Sequence, residues 1–222
     1  GAESAEVFVT KDPASAPEGF KLFRPHPPAQ VACTSCHAAK GTRWAMKGGV
    51  GSASVSLPDG LVVAALAAVN AFGDVRDPST GGILAGPRLD NGTLADSVEH
   101  LAEAARFMRW GENTTLAVVA TNARLSKPAV TKVAQMAHDG IARTVSPVHT
   151  SIDGDAVFAA SVGGPPEGEA AEGPPEGPVG VTAVPDVVGA WGARVISEAV
   201  LRAVWAASGT PDLPSVSELR PE

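Results

Sequence analysis

The sequence contains no tyrosine and only two cysteines, Cys33 and Cys36. A single close pair excludes the disulfide framework that staples small secreted domains. Positive charge is short as well: 17 Lys and Arg against 24 Asp and Glu leave a formal net charge of −7. That balance argues against a nucleic-acid partner, because phosphate recognition needs a cationic face. Long apolar runs are missing; the longest, Leu61 to Val69, falls far below the ~20 residues of a membrane-spanning helix. The first residues, Gly1-Ala2-Glu3-Ser4, have neither the basic start nor the apolar stretch of a secretory leader. A cytoplasmic protein with no membrane partner is therefore expected.

What is present is enough apolar material for a core: 44% of 222 residues, which suits one domain and excludes global disorder. Prolines at 13, 17, 25, 27 and 28 break up residues 1–41, an irregular N-terminal segment. The glycine cluster Gly48-Gly49-Val50-Gly51 permits a sharp turn or a close backbone approach. Ala53–Leu57 and Leu61–Val69 read as strands joined at Pro58-Asp59-Gly60, a hairpin signal. Residues 73–91 read as turn-rich loop. A helix is predicted from Leu94 to Trp110, with Leu94, Val98, Leu101, Ala105 and Met108 on one face, Thr93 as cap and Gly111 as stop. Thr115–Thr121 reads as a buried strand, and Lys127 to Ala142 as a helix capped by Ser126 with Pro128 in its first turn. A strand at Ala156–Ser161 and a helix from Pro185 to Ala207 follow. Residues 163–180, with Gly-Pro-Pro-Glu-Gly twice, read as a surface loop, and 208–222 as an irregular tail. Alternating strands and helices predict a layered α/β or α+β class.

The segment with chemical potential is Asn113-Thr114, where a polar link meets a buried strand. A hydroxyl at the head of a packed strand is rigidly held. If the preceding peptide bond breaks, Thr114 supplies both nucleophile and base, because a free α-amine titrates near neutral pH beside its own hydroxyl. The cut itself would be attack of the Thr114 hydroxyl on the Asn113 carbonyl, then hydrolysis of the ester. By spacing alone, a strand start with a capping hydroxyl is the preferred reading of the dipeptide.

Four blocks carry more: Trp44-Ala45-Met46-Lys47-Gly48-Gly49-Val50-Gly51-Ser52-Ala53-Ser54, Ala68-Val69-Asn70-Ala71-Phe72-Gly73-Asp74-Val75, Asn113 to Asn122, and Ser151-Ile152-Asp153-Gly154-Asp155. In order and spacing they resemble the P1 peptidases, which include the D-aminopeptidases, β-aminopeptidases and nylon-oligomer hydrolases. The Asn-Thr junction looks most like the last branch. The resemblance spans residues 42–207, a hydrolase domain, and implies an αββα sandwich of the N-terminal-nucleophile-like type, assembled as a homo-oligomer. It implies Thr114 as nucleophile and Asn113 as the new C-terminus. Lys47 matches a basic residue that keeps the Thr114 amine neutral, and Asn70 an oxyanion-stabilising amide. Asp153 and Asp155 match a carboxylate pair, two apart and so on one face of an extended segment. They would orient the Thr114 amine and Lys47, or hold a substrate ammonium. Alone, Lys47 reads as an exposed loop charge, Asn70 as a turn residue and Asp153-Gly154-Asp155 as a tight turn.

No metal or organic cofactor is implied. The expected activity is cleavage of linear oligoamides (6-aminohexanoate oligomers) through an acyl-enzyme, the alternatives being D- or β-amino acid amides as substrates, or an uncut, non-catalytic remnant of the fold. The family implies a longer upstream region with further strands and a pocket tyrosine. The chain therefore reads as a fragment, a truncated product or a diverged copy. Where the family is glycine-rich, this sequence has Cys33-Thr34-Ser35-Cys36-His37, the spelling of a haem c attachment site with Met46 or Met108 as possible second ligand. An isolated short motif is read as chance, and zinc would need a second cysteine pair. His26, His100, His138 and His149 have no ligand-like spacing and read as surface or packing residues, as does Trp110.

Overall fold

The structure, a computed structural model, describes residues 45–104, 113–163, 180–211 and 213–219. The expectations for residues 1–41, Cys33-x-x-Cys36-His37, Trp110 and most of 163–180 lie outside these residues.

Strands β1 (Val50–Ser56) and β2 (Val62–Ala68) form the expected hairpin, in register from Val50 opposite Ala68 to Ser56 opposite Val62. Asp59 builds the turn by accepting the Leu61 N–H at 3.0 Å, and Gly60 supplies the left-handed residue at φ 85°. Strand β5 (Leu116–Thr121) runs antiparallel to β2, and β7 (Ala156–Ser161) parallel to β5, giving the order β1-β2-β5-β7. A parallel neighbour requires a crossover. It is made by α2 (Lys127–Ala137) and α3 (Asp139–Ala142).

Alternate residues of the sheet, among them Val55, Val63, Ala67, Ala117 and Val119, are buried in a core shared with α4 (Pro185–Trp205), which supplies Val188, Ile196, Val200 and Val204. Each fully buried valine or isoleucine among them contributes about 1.5–3 kcal/mol. The glycine cluster explains how α4 comes so near: a Cβ on Gly51 would collide with the Ala199 carbonyl and the Ala203 backbone. The opposite face carries the row Ser52, Leu66, Val118 and Phe158, of which Phe158 is 59% exposed. No helix among the described residues is long and apolar enough to cross a membrane.

Several expectations need correction. Residues 73–91 are not all loop: β3 (Asp74–Arg76) and β4 (Ile83–Ala85) join β6 (Val145–Ser146) in a second sheet, ordered β4-β3-β6. Such short strands leave no period to read. Their anchor is Asp74, fully buried, which accepts the Ser97 N–H at 3.0 Å and the Arg76 guanidinium at 2.8 Å. Burial pushes its carboxyl above the ordinary value, opposed by the Ser97 and Arg76 hydrogen bonds.

The helix expected from Leu94 begins only at α1 (Leu101–Ala104). Thr93 does not cap it: its hydroxyl donates to Asn91 at 2.7 Å, inside a turn that bridges Arg88 to Leu94. The helix from Lys127 breaks at His138, where the Ile141 N–H bonds the His138 carbonyl at 3.0 Å, one residue early. Ser126 occupies the cap position without a side-chain capping bond. The tail contains one further turn of helix, α5 (Val216–Leu219).

Candidate active site

One rung crosses the first sheet: Val50, Ala68, Leu116 and Ala156 stand side by side. The starts of β1, β5 and β7 and the end of β2 therefore meet at one edge. Lys47 precedes β1, Asn70 follows β2, Asn113-Thr114 precedes β5, and Asp153 and Asp155 precede β7. Strand register thus gathers all the residues singled out from the sequence at this edge.

Pairing continues past the strand ends. The Val69 N–H donates to the Gly49 carbonyl at 2.8 Å and the Thr114 N–H to the Asn70 carbonyl at 2.8 Å. Asn113 and Asp153 form a parallel bridge. The Thr114 hydroxyl donates to the carbonyl of Asn113 at 2.6 Å. That same carbonyl accepts the Gly154 N–H at 3.0 Å. Two donors on one carbonyl draw electron density onto its oxygen and make its carbon more electrophilic.

The carboxylates divide their work. Asp155, whose side chain is 4% exposed, accepts the Thr115 N–H at 2.8 Å and faces His149 Nδ1 at 2.9 Å. Asp153 closes its own loop, accepting the Thr150 hydroxyl at 2.7 Å and the Thr150 N–H at 3.1 Å. Lys47 is half-buried, and its backbone N–H is held by the Pro214 carbonyl at 2.9 Å. Its stem lines a small recess with Met46, Val69 and Gly73.

Neither His138 nor His149 has ligand-like spacing in the sequence. The fold brings them together, ring centroids 4.1 Å apart, with His149 on Asp155 and in a left-handed backbone conformation at φ 54°. Burial, then the neighbouring His149, pushes the His138 imidazole below its ordinary value. Eleven positions separate the two, across a helix break and two turns, so no local spacing could announce the pair. Asn113 Oδ1, Thr115 Oγ1 and His138 Nε2 are buried without hydrogen-bond partners. Among the described residues no cluster of three His, Cys, Asp or Glu could hold a metal ion.

The Thr114 hydroxyl thus lies on its own upstream carbonyl at the head of an interior strand of an α/β sheet. A crystal structure of a protein from Pyrococcus horikoshii OT3 superposes with a TM-score of 0.50 at 23% identity, covering 81% of this chain and 47% of that one, a likeness of fold alone. The chain belongs to Peptidase family S58, whose profile matches residues 29–213. An uncharacterized aminopeptidase of Mycobacterium tuberculosis (strain H37Rv) is 38% identical over 189 residues, 80% of this chain and 53% of that protein. A 6-aminohexanoate-oligomer endohydrolase of Paenarthrobacter ureafaciens is 34% identical over 64 residues, 29% of this chain and 18% of that protein. The chain spans about half the length of the mycobacterial relative it matches. The P1-type resemblance and the α/β fold class expected from it both hold.

Proposed function

We propose that this chain is an autoprocessed amide hydrolase that cuts itself between Asn113 and Thr114 and then uses Thr114 as an N-terminal nucleophile. The observation that carries this reading is the 2.6 Å contact of the Thr114 hydroxyl with the carbonyl of its own upstream peptide bond. Once freed, the Thr114 amine is the base for the adjacent hydroxyl, and the hydroxyl attacks a substrate amide carbonyl. The amine product leaves, and water hydrolyses the resulting ester. In this reading the Lys47 charge keeps the Thr114 amine neutral, and the Asn70 side-chain amide stabilises the substrate oxyanion. Asp155 and Asp153 hold the head of β5 and the loop before β7.

The proposed substrate is a small peptide or linear oligoamide with a free amine near the cut. Similarity to the mycobacterial protein named an aminopeptidase runs over most of the chain, which favours N-terminal amino acid amides; the P1-type resemblance adds D- and β-amino acid amides to that class. The Asn-Thr junction and the short match to the oligoamide endohydrolase support 6-aminohexanoate oligomers as the second class. The catalytic unit would be residues 42–207, working as a homo-oligomer in the cytoplasm without nucleic acid or membrane.

The test is intact mass after purification and long incubation. Two polypeptides are expected, the second beginning at Thr114, and a Thr114→Ala chain stays whole. A wild-type chain that remains one folded polypeptide defeats the proposal. Hydrolysis of amino acid amides against 6-aminohexanoate oligomers then ranks the substrates.

A further inference from the structure

Gly154 stands between the two carboxylates and belongs to neither. Its N–H donates to the Asn113 carbonyl at 3.0 Å. It cannot carry a side chain without cost, because a Cβ built there would lie 2.7 Å from the Thr114 hydroxyl oxygen. The backbone on either side is pinned. Asp153 is tied to Thr150 through two bonds to one carboxylate oxygen. Asp155 is tied to the Thr115 N–H, and the Ala156 N–H to the Thr115 carbonyl at 3.1 Å. The Asp-Gly-Asp run thus holds one N–H on the carbonyl of the junction and sets a residue without a side chain against the threonine hydroxyl.

We propose that the backbone N–H of Gly154 is the oxyanion donor of the self-cleavage step, with Asp153 and Asp155 as its positioning residues. This rests on the self-cleavage reading above and adds a group to it. The Thr114 oxygen bonds to the Asn113 carbonyl carbon, and the carbonyl π pair moves onto its oxygen, where the Gly154 N–H meets the growing negative charge. The pair returns, the carbon–nitrogen bond breaks, and the nitrogen keeps its bonding electrons. It gains the proton that the hydroxyl gave up. The product is an ester between Asn113 and the Thr114 side chain, which water splits into the Asn113 carboxylate and the Thr114 hydroxyl. A donor already aimed at the carbonyl needs no reorganisation as charge develops, which is the source of its advantage.

The decisive variant replaces Gly154 with glycolic acid, turning its N–H into an ester oxygen and leaving shape unchanged. Self-cleavage should slow about 10- to 100-fold, less than the 10²–10³-fold of a fully dry donor because Gly154 is solvent-exposed. An unchanged rate in a chain with the wild-type unfolding midpoint overturns the proposal, while the split itself, absent in Thr114→Ala, leaves the wider reading standing. Wild-type protein that never splits removes both. A second measurement does not depend on the ester chain folding. In isotope-labelled Thr114→Ala protein, a through-hydrogen-bond coupling between the Gly154 nitrogen and the Asn113 carbonyl carbon is expected. Its absence at assigned resonances overturns the proposal.

Discussion

Strand β5 is framed by the same two residue types at both ends: Asn113-Thr114 before it, Thr121-Asn122 at its close. At the closing end every side-chain group serves the fold. The Thr121 hydroxyl donates to the Val62 carbonyl at 2.8 Å and accepts the Ala123 N–H at 3.1 Å. Asn122 accepts the Val62 N–H at 2.8 Å and donates to the Gly60 carbonyl at 2.9 Å, which locks the β1–β2 turn to the strand. At the opening end Asn113 Oδ1 and Thr115 Oγ1 are buried with no partner, and the Thr114 hydroxyl lies on the peptide bond before it. Buried polar groups normally find partners. The contrast teaches that the scaffold consumes the polar side chains at one end of the strand and leaves buried ones unpartnered at the other, the end proposed to react.

The largest break in that symmetry should come from Thr114→Ala. Splitting should be lost entirely by intact mass, while the unfolding midpoint in urea stays close to that of an uncut chain. Next in size, Gly154→Ala would push a methyl group against the Thr114 hydroxyl. Self-cleavage should slow about 100-fold, the scale of an ångström-sized misplacement of reacting atoms, as read from the appearance of the fragment beginning at Thr114. The same chemistry at the other end should behave oppositely. Thr121→Ala should still split, yet lose about 1–3 kcal/mol of stability in urea, because the buried Ala123 N–H and the Val62 carbonyl lose a partner. A Thr121→Ala chain as stable as wild type would dissolve the contrast between the two ends.

The smallest effect concerns the histidine pair beside the opening end. The His138 pKa is lowered below 6.5 by burial and by His149. The unfolded chain therefore binds the proton more readily, so stability associated with neutral His138 is fully present above the unfolded value and is lost as pH falls from there through the lower folded value. Urea midpoints taken at about pH 7.5 and about pH 5 should differ more in wild type than in His138→Gln. Equal differences would mean that the imidazole titrates as it does in the unfolded chain.

Much of the scaffold was legible because its signals are local. The Asp59-Gly60 turn, the alternating and continuous apolar runs of β1, β2, β5 and β7, and the apolar face of α4 each sit within one element. Where the reading failed, a distant partner overrode the local preference. Thr93 went to Asn91 rather than to a helix, and β3 is held by a carboxylate reaching Ser97, more than twenty positions on.

From the sequence came the sheet-forming segments and the hydroxyl at a strand head, and from the resemblance of its four blocks the set Lys47, Asn70, Asn113, Thr114, Asp153 and Asp155. The strands and the hydroxyl follow from short-range pattern, and the site set from motif blocks that resemble a known family, both of which the chain carries wherever it goes. Tertiary structure alone decided that all of them share one edge of a sheet. It also decided that Asp155 reaches Thr115 and His149, that His138 lies against His149, and that Gly154 rather than either carboxylate touches the junction carbonyl. The reason is register: hydrogen bonds between strands far apart in sequence set which residues become neighbours, and no window of sequence contains both partners.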